Sequence, residues 1–258
     1  MALYRKDANI WKKANNQHVK AGGAWKEIQN GFVRDAGVWK PYFNQRLYNH
    51  PNLYIEYDME PEHRNSTTIF DSAPTPHSNA GYNSNISFEA GLGINGTDCL
   101  HASSDAIAYG GLAYSLASQD LTINFWVYAW SAGQSISRWI TLANEAMVIR
   151  RLNTNIHTYM MNTDGYMTHS QIGGALSYNN WKMYTMRWNH TGNYWDVFYG
   201  ANFIGNKTLN GTARTTNTIM ISNTGTESLN GRMDSIRIFN KFLTDAEISE
   251  LYNGGAGY

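Results

Sequence analysis

"GRMDSIRIFNKFLTDAEISELYNGG", residues 231–255, reads as a strand that runs almost directly into a short helix. The helical half carries its own start and stop signals. Thr244 is the N-cap and Glu247 stands three residues on, which makes a capping box. Leu243 and Ile248 are spaced as a hydrophobic staple, and Asp245 and Glu247 lie at the positive end of the helix dipole. Gly254 is the expected stop. Ile248, Leu251 and Tyr252 share one helix face, which predicts that the helix packs on the sheet the strand belongs to.

Upstream, strands follow one another at short intervals. "DLTINFWVYAW" (120–130) alternates Leu121, Ile123, Phe125 and Val127 with Thr122, Asn124, Trp126 and Tyr128. "NWKMYTMRWN" (180–189) and "NYWDVFYG" (193–200) are two more strands joined through "HTG", and "NTIMISN" (217–223) precedes 231–240. Aromatic residues make up 14% of the chain and charged residues only 16%, below the roughly 25% of an average domain, which favours strands and turns over long helices. Aromatics on both faces of several strands predict a curved all-β sandwich of two antiparallel sheets. One sheet face then forms the core, and the other offers a ringed, concave surface.

The closing strand and helix resemble the end of concanavalin A-like, laminin G-like jelly-roll domains, where a Gly-x-x-Asp strand leads into a Leu-Thr/Ser-x-x-Glu-Ile helix. "YIEYDMEPEHRNSTTIFDSA" is similar to the family's opening strand and Asp turn, "LTINFWVYA" to its central strand, and "NNWKMYTMRWN" to a later one. The resemblance covers roughly residues 50–255 and departs at "FYGANFIG" (198–205). There Gly200-Ala201 replaces the usual Asp-Gly hairpin and leaves the turn type open. It implies a jelly-roll sandwich over residues 47–258 with one short C-terminal helix. It also raises the question of a structural Ca²⁺ at the sandwich rim, for which Asp98 and Asp234 are the acidic candidates. A turn aspartate serving the backbone is the commoner role for such residues.

Glu56-x-Asp58-x-Glu60, in "IEYDMEPE", looks like the E-x-D-x-E strand of glucanases that share this fold. Strand alternation would put the three carboxylates on one face, as a retaining glycosidase requires. In those enzymes, however, the motif lies in mid-domain, and here it falls on the first strand. The expectation is therefore a solvated acidic edge, with Tyr54, Ile55, Tyr57 and Met59 supplying the packing, and no catalytic residue. Eight histidines are scattered without metal-ligand spacing, and the single cysteine, Cys99, permits no intrachain disulfide.

The first 46 residues are of another kind. Trp11, Trp25 and Trp39 are equally spaced, as are Lys12, Lys26 and Lys40, within three fourteen-residue units. Each unit has the length of one β-hairpin, too little to fold alone, so the arm 1–46 is expected to be completed by sister chains or a larger assembly. "VKAGGAWK" (19–26) and "VRDAGVWK" (33–40) resemble short repeats of phage tail and other virion proteins. Residues 1–46 carry nine Lys/Arg against three Asp/Glu, and the remainder eleven against seventeen. The lysines recur singly with no basic run, which argues against nucleic acid as the partner. No stretch has the length and hydropathy to span a bilayer, and the N-terminus lacks a signal-peptide pattern.

Together these readings predict a bacteriophage virion protein made in the host cytoplasm and homo-oligomeric, with a trimer as first expectation. It would contact other virion proteins through the arm and bind host-surface polysaccharide without cleaving it. Trp130 and Tyr166, beside turns rich in Gly and Ser, are the expected sugar-stacking residues. A head-decoration or tail-stabilising protein without ligand and a glycan depolymerase are the alternatives.

Overall fold

The computed structural model describes residues 50–103, 105–130, 136–175, 178–223 and 227–253, together with the backbone of six strands between residues 4 and 44; side chains are described from residue 50 on, except those of Asn95 and residues 172–175. Two compact units divide between Pro51 and Asn52.

The first unit contains three antiparallel hairpins: β1 (Tyr4–Asp7) with β2 (Ile10–Lys13), β3 (His18–Ala21) with β4 (Ala24–Glu27), and β5 (Asn30–Asp35) with β6 (Val38–Asn44). Their register repeats. Lys6 stands opposite Trp11, Lys20 opposite Trp25 and Arg34 opposite Trp39, while Lys12, Lys26 and Lys40 face Arg5, Val19 and Val33. The side chains of these tryptophans and lysines lie outside the described residues.

The second unit is the two-sheet antiparallel sandwich expected of a jelly roll. Along the chain its strands are β7 (Leu53–Tyr57), β8 (Thr68–Ile69), β9 (Ala80–Tyr82), β10 (Ile86–Glu89), β11 (Cys99–Ala102), β12 (Ile107–Ser115), β13 (Leu121–Ala129) and β14 (Ile136–Leu142). They continue with β15 (Met147–Leu152), β16 (Asn155–Met161), β17 (Met167–Ala175), β18 (Trp181–Asn189), β19 (Tyr194–Tyr199), β20 (Asn202–Thr208), β21 (Thr215–Ser222) and β22 (Gly231–Phe239), and helix α1 (Asp245–Tyr252) follows. Sheet I has the order β10-β11-β22-β13-β18-β19-β20, and sheet II the order β17-β16-β15-β14-β21-β12-β9-β8. In sheet I one edge of β22 is shared end to end. β11 pairs with Gly231–Met233 and β7 with Ile236–Phe239, and the changeover falls at Ser235, whose φ is 49°.

The core lies between the sheets. Leu121, Ile123, Phe125 and Val127 of β13 face Trp139, Ile140 and Leu142 of β14, and Ile219 and Ile221 of β21 complete the layer. Trp195 also buries its indole here and donates its N–H to Thr158 Oγ1 at 2.9 Å. Helix α1 begins as the sequence predicts. Thr244 Oγ1 accepts from Glu247 N, Glu247 in turn accepts from Thr244 N (2.7 Å), and Leu243, Ile248 and Leu251 are buried. The stop differs. Asn253 takes the left-handed conformation (φ 46°), a role a short amide side chain tolerates, and Gly254 lies outside the described residues. At the divergent hairpin, Gly200 alone of the Gly200-Ala201 pair has a positive φ (59°), the pattern of a type II′ turn. A Cβ at Gly200 would also press on the Tyr252 ring, 3.0 Å away.

Candidate functional site

The outer face of sheet I is not one open concave surface, contrary to expectation. Residues 240–253 roof much of it. Trp126 stacks on Tyr252 of α1 (6.0 Å, 11°) and is buried. Thr122 Oγ1 donates to the Lys241 carbonyl at 2.6 Å and accepts from Leu243 N. Arg187 reaches from β18 to Asp196 (2.8 Å), to Asp245 (2.7 Å) and to the Leu243 carbonyl (2.6 Å). Burial raises the Asp196 carboxyl above its usual range, and Arg187 opposes that rise.

Beyond the roof, one row of side chains crosses the same face and stays partly open to solvent. Register places His101 (β11) beside Arg232 (β22), Arg232 beside Tyr128 (β13), and Tyr128 beside Trp181 (β18). The Arg232 guanidinium lies 5.2 Å from the Tyr128 ring centroid and 5.5 Å from that of Trp130, and it forms an ion pair with Glu89. Trp130 meets His101 edge-on at 5.0 Å, and Trp181 meets Tyr128 edge-on at 5.7 Å. Of these residues the sequence reading had only Trp130. Alternation already put Tyr128 on this face, but the cross-strand register that gathers Arg232, His101 and Trp181 around it is long-range and leaves no local signal.

The 90–98 loop walls this row. Trp181 Nε1 donates to the Leu92 carbonyl at 3.1 Å, while the Leu92 side chain is exposed. The two aspartates considered for Ca²⁺ both serve this loop. Asp98 pairs with Arg64 (2.8 Å) and accepts from Gly91 N. Asp234 Oδ2 accepts from Ile94 N (2.8 Å) and contacts Thr97 Oγ1 (2.8 Å), and its Oδ1 accepts from Ser235 N. Gly93 packs so closely over Asp234 that a Cβ would lie 2.5 Å from Oδ2. Burial pushes the Asp234 carboxyl up to about 7. Among the described residues no group of three or more His, Cys, Asp and Glu side chains is arranged to hold a metal ion.

The acidic stretch is not a solvated edge. Glu56 is fully buried, with Arg237 Nε 2.6 Å away across the β7–β22 pairing, and the Asp71–Ser72 segment covers the other edge of β7. Burial raises the Glu56 carboxyl, and Arg237 opposes the rise. The alternation fails because β7 ends at Tyr57 and Met59 adopts φ 64°. Asp58 then turns to His63 (2.7 Å), and Glu60 accepts from Asp98 N (3.2 Å). The three carboxylates thus serve three separate structural contacts. Cys99 is buried as well, its thiol pushed up to about 12 by burial.

Tyr166 is exposed (69%) in the turn between β16 and β17. It precedes β17, whereas the Trp130 neighbourhood adjoins the segment after that strand, where Asn179 N donates to the Ala129 carbonyl. Nine strand residues span about 30 Å, so the two expected stacking residues do not share a site.

The layered topology, the capped closing helix and the half-roofed outer face define a lectin-like jelly roll. The profile of the Concanavalin A-like lectin/glucanases superfamily matches residues 101–249, more than half of the chain, and the chain belongs to that family. Among solved structures, it is similar to the binding domain of Paraclostridial Mosquitocidal Protein 1 (16% identity, TM-score 0.65, covering 80% of this chain and 52% of that one). It is also similar to the botulinum neurotoxin serotype D binding domain (13%, TM-score 0.64, 79% and 52%) and the botulinum neurotoxin type G receptor binding domain (14%, TM-score 0.59, 79% and 51%). The chain spans about half the length of these structures, and at such identity the likeness is one of fold. No curated protein sequence matches the chain.

Proposed function

We propose that residues 47–258 form a non-catalytic glycan-recognition module displayed on a bacteriophage virion. The observation that carries this reading is the row Tyr128, Trp130, Trp181 and Arg232, partly open to solvent beside the roofed part of the face. Aromatic faces offer apolar patches to sugar C–H groups, and the paired Arg232 and Glu89 offer a donor and an acceptor for hydroxyls. Family membership supports the reading, as does a fold shared with domains that bear the name of binding or receptor-binding domains. Burial of Glu56 against Arg237 supports binding without cleavage. The virion assignment rests on the Trp-Lys repeats, with the arm 1–46 joining the protein to other virion proteins and to sister copies, in a trimer.

The test is a glycan array of bacterial surface polysaccharides probed with the full chain. Retention of at least one polysaccharide with no loss of polymer length, weakened tenfold or more by Trp130→Ala or Tyr128→Ala, is the expected result. Steady release of reducing ends that disappears in Glu56→Gln would replace the reading with a depolymerase. For the arm, replacing Trp11, Trp25 and Trp39 together by Ala should leave the sandwich folded and abolish oligomerisation. Unchanged sedimentation would refute that part.

A further inference from the structure

A second arginine lies away from the aromatic row, in a shallow polar cleft of ≈ 250 Å³ lined by Asn144, Thr163, Arg214 and Thr215. Arg214 Nε donates to the Asn162 carbonyl at 2.6 Å and Nη1 to the Asn144 carbonyl at 2.7 Å. Both acceptors are neutral, so they fix the guanidinium without cancelling its charge. Arg232 differs, because Glu89 meets its charge directly. Near the cleft, Glu145 is committed to Arg138 at 2.6 Å, and among the described residues Arg214 forms no ion pair, exposed Asp164 in the adjoining turn included. With Nε and one Nη1 hydrogen in use, Nη2 and the second Nη1 hydrogen are left as the donor fork for a ligand.

The surrounding backbone is built to present that fork. Asn144 (φ 60°) and Glu145 (φ 54°) are consecutive left-handed residues without glycine, a costly conformation that clusters at sites. Asn162 Oδ1 accepts from Asp164 N (3.0 Å) and Tyr166 N (2.9 Å), which holds the turn. Gly165 takes a left-handed conformation (φ 87°) that glycine adopts without cost, and its Cα side faces Nη2, where a Cβ would sit in ordinary contact at 3.8 Å. Tyr166, the next residue, is exposed. A volume somewhat below the roughly 300–1,000 Å³ of drug-sized sites suits one sugar ring better than an oligosaccharide.

We propose that this cleft is an anion site that takes the carboxylate or phosphate of a single sugar-sized ligand on the Arg214 fork. Thr163 and Thr215 contact the ligand's hydroxyls, and Tyr166 flanks its ring. The proposal is independent of the aromatic row.

Calorimetric titration of the full chain with glucuronate, glucose 6-phosphate and glucose tests it, because the three share a ring and differ in charge. At least one of the two anions should bind tenfold or more tightly than glucose, and which one binds identifies carboxylate or phosphate. Its affinity should fall as salt rises. Arg214→Gln should lose tenfold or more. Arg214→Lys should lose nearly as much, since one ammonium cannot hold both carbonyls and a bidentate anion. Because either change could loosen the turn, Thr215→Val, which leaves the arginine anchors intact, should still weaken binding two- to fivefold at unchanged thermal midpoint, and Trp130→Ala should leave it unaltered. Equal binding of all three sugars, no binding of either anion at millimolar concentration, or full affinity in Arg214→Gln would overturn the proposal.

Discussion

Replacing Arg237 by Met removes the counter-charge of a carboxyl that has no access to water. Glu56 is fully buried and Arg237 nearly so, with Nε and Oε1 2.6 Å apart. Met fills much of the same volume, so packing changes little. Without the guanidinium, burial, with Asp58 and Asp71 adding to it, acts unopposed on Glu56, and its folded-state pKa rises further above the ordinary 4.5. A carboxyl with a raised folded pKa contributes its stability in acid, and that stability is lost as pH climbs from the unfolded value through the folded one. The variant should therefore be close to wild type near pH 4 and weaker by about 3–5 kcal/mol at pH 8, the usual cost of breaking a buried pair. For a domain of this size that corresponds to a midpoint lower by about 6–20 °C. Urea titrations followed by tryptophan fluorescence suit the measurement, since Trp126, Trp139, Trp188 and Trp195 are all buried. The double variant Glu56→Met/Arg237→Met should recover most of the loss at pH 8. A deficit equal at pH 4 and pH 8, or larger in acid, would refute this account of the pair.

Three further outcomes follow from local chemistry. Asp234, raised to about 7 by burial, should make wild-type stability fall between about pH 4 and pH 7 by up to about 4 kcal/mol; Asp234→Asn should flatten that slope in pH-dependent urea midpoints. His157 Nδ1 and His169 Nε2 meet at 2.8 Å, and both pKa values lie below 6.5, by burial first, then by His169 and Arg150 for His157 and by Arg150 for His169. The neutral pair therefore stabilises above pH 6.5, and the protection of β16 and β17 amides, taken relative to their intrinsic exchange rates, should drop as pH falls below that value, less so in His169→Gln. Thr244→Ala should cost about 1 kcal/mol through loss of the cap, read from denaturant midpoints.

What was legible in the sequence was what is local. The capping box of Thr244 and Glu247 needs only four residues, and the alternation of β13 needs nine. The fate of the outer face was not legible, because it turns on docking. Trp126 and Tyr128 are two residues apart on one face, yet the first is covered by Tyr252 and the second is open. Glu56 read as solvated because its partner, Arg237, is 181 residues away. β12 went unread because its inward positions include Ala108 and Gly110, small where the Tyr57 hydroxyl approaches. Arg214 gave no signal either, since the carbonyls that aim it belong to two turns distant in the chain.

The shared edge of β22 has a consequence for the newborn chain. β22 is the last strand of the sandwich in chain order, and β7, β11 and β13 all find a neighbour in it. At roughly 5–20 residues per second, β7 leaves the ribosome roughly 10–35 s before its partner exists. During that interval the edges of three apolar strands have no native mate. The first half of the sandwich is then a template open to any passing strand, its own sister chains included. Nascent chains halted before Gly231 should accordingly be the aggregation-prone and chaperone-bound species, and release of residues 231–253 should mark the step at which the domain becomes soluble.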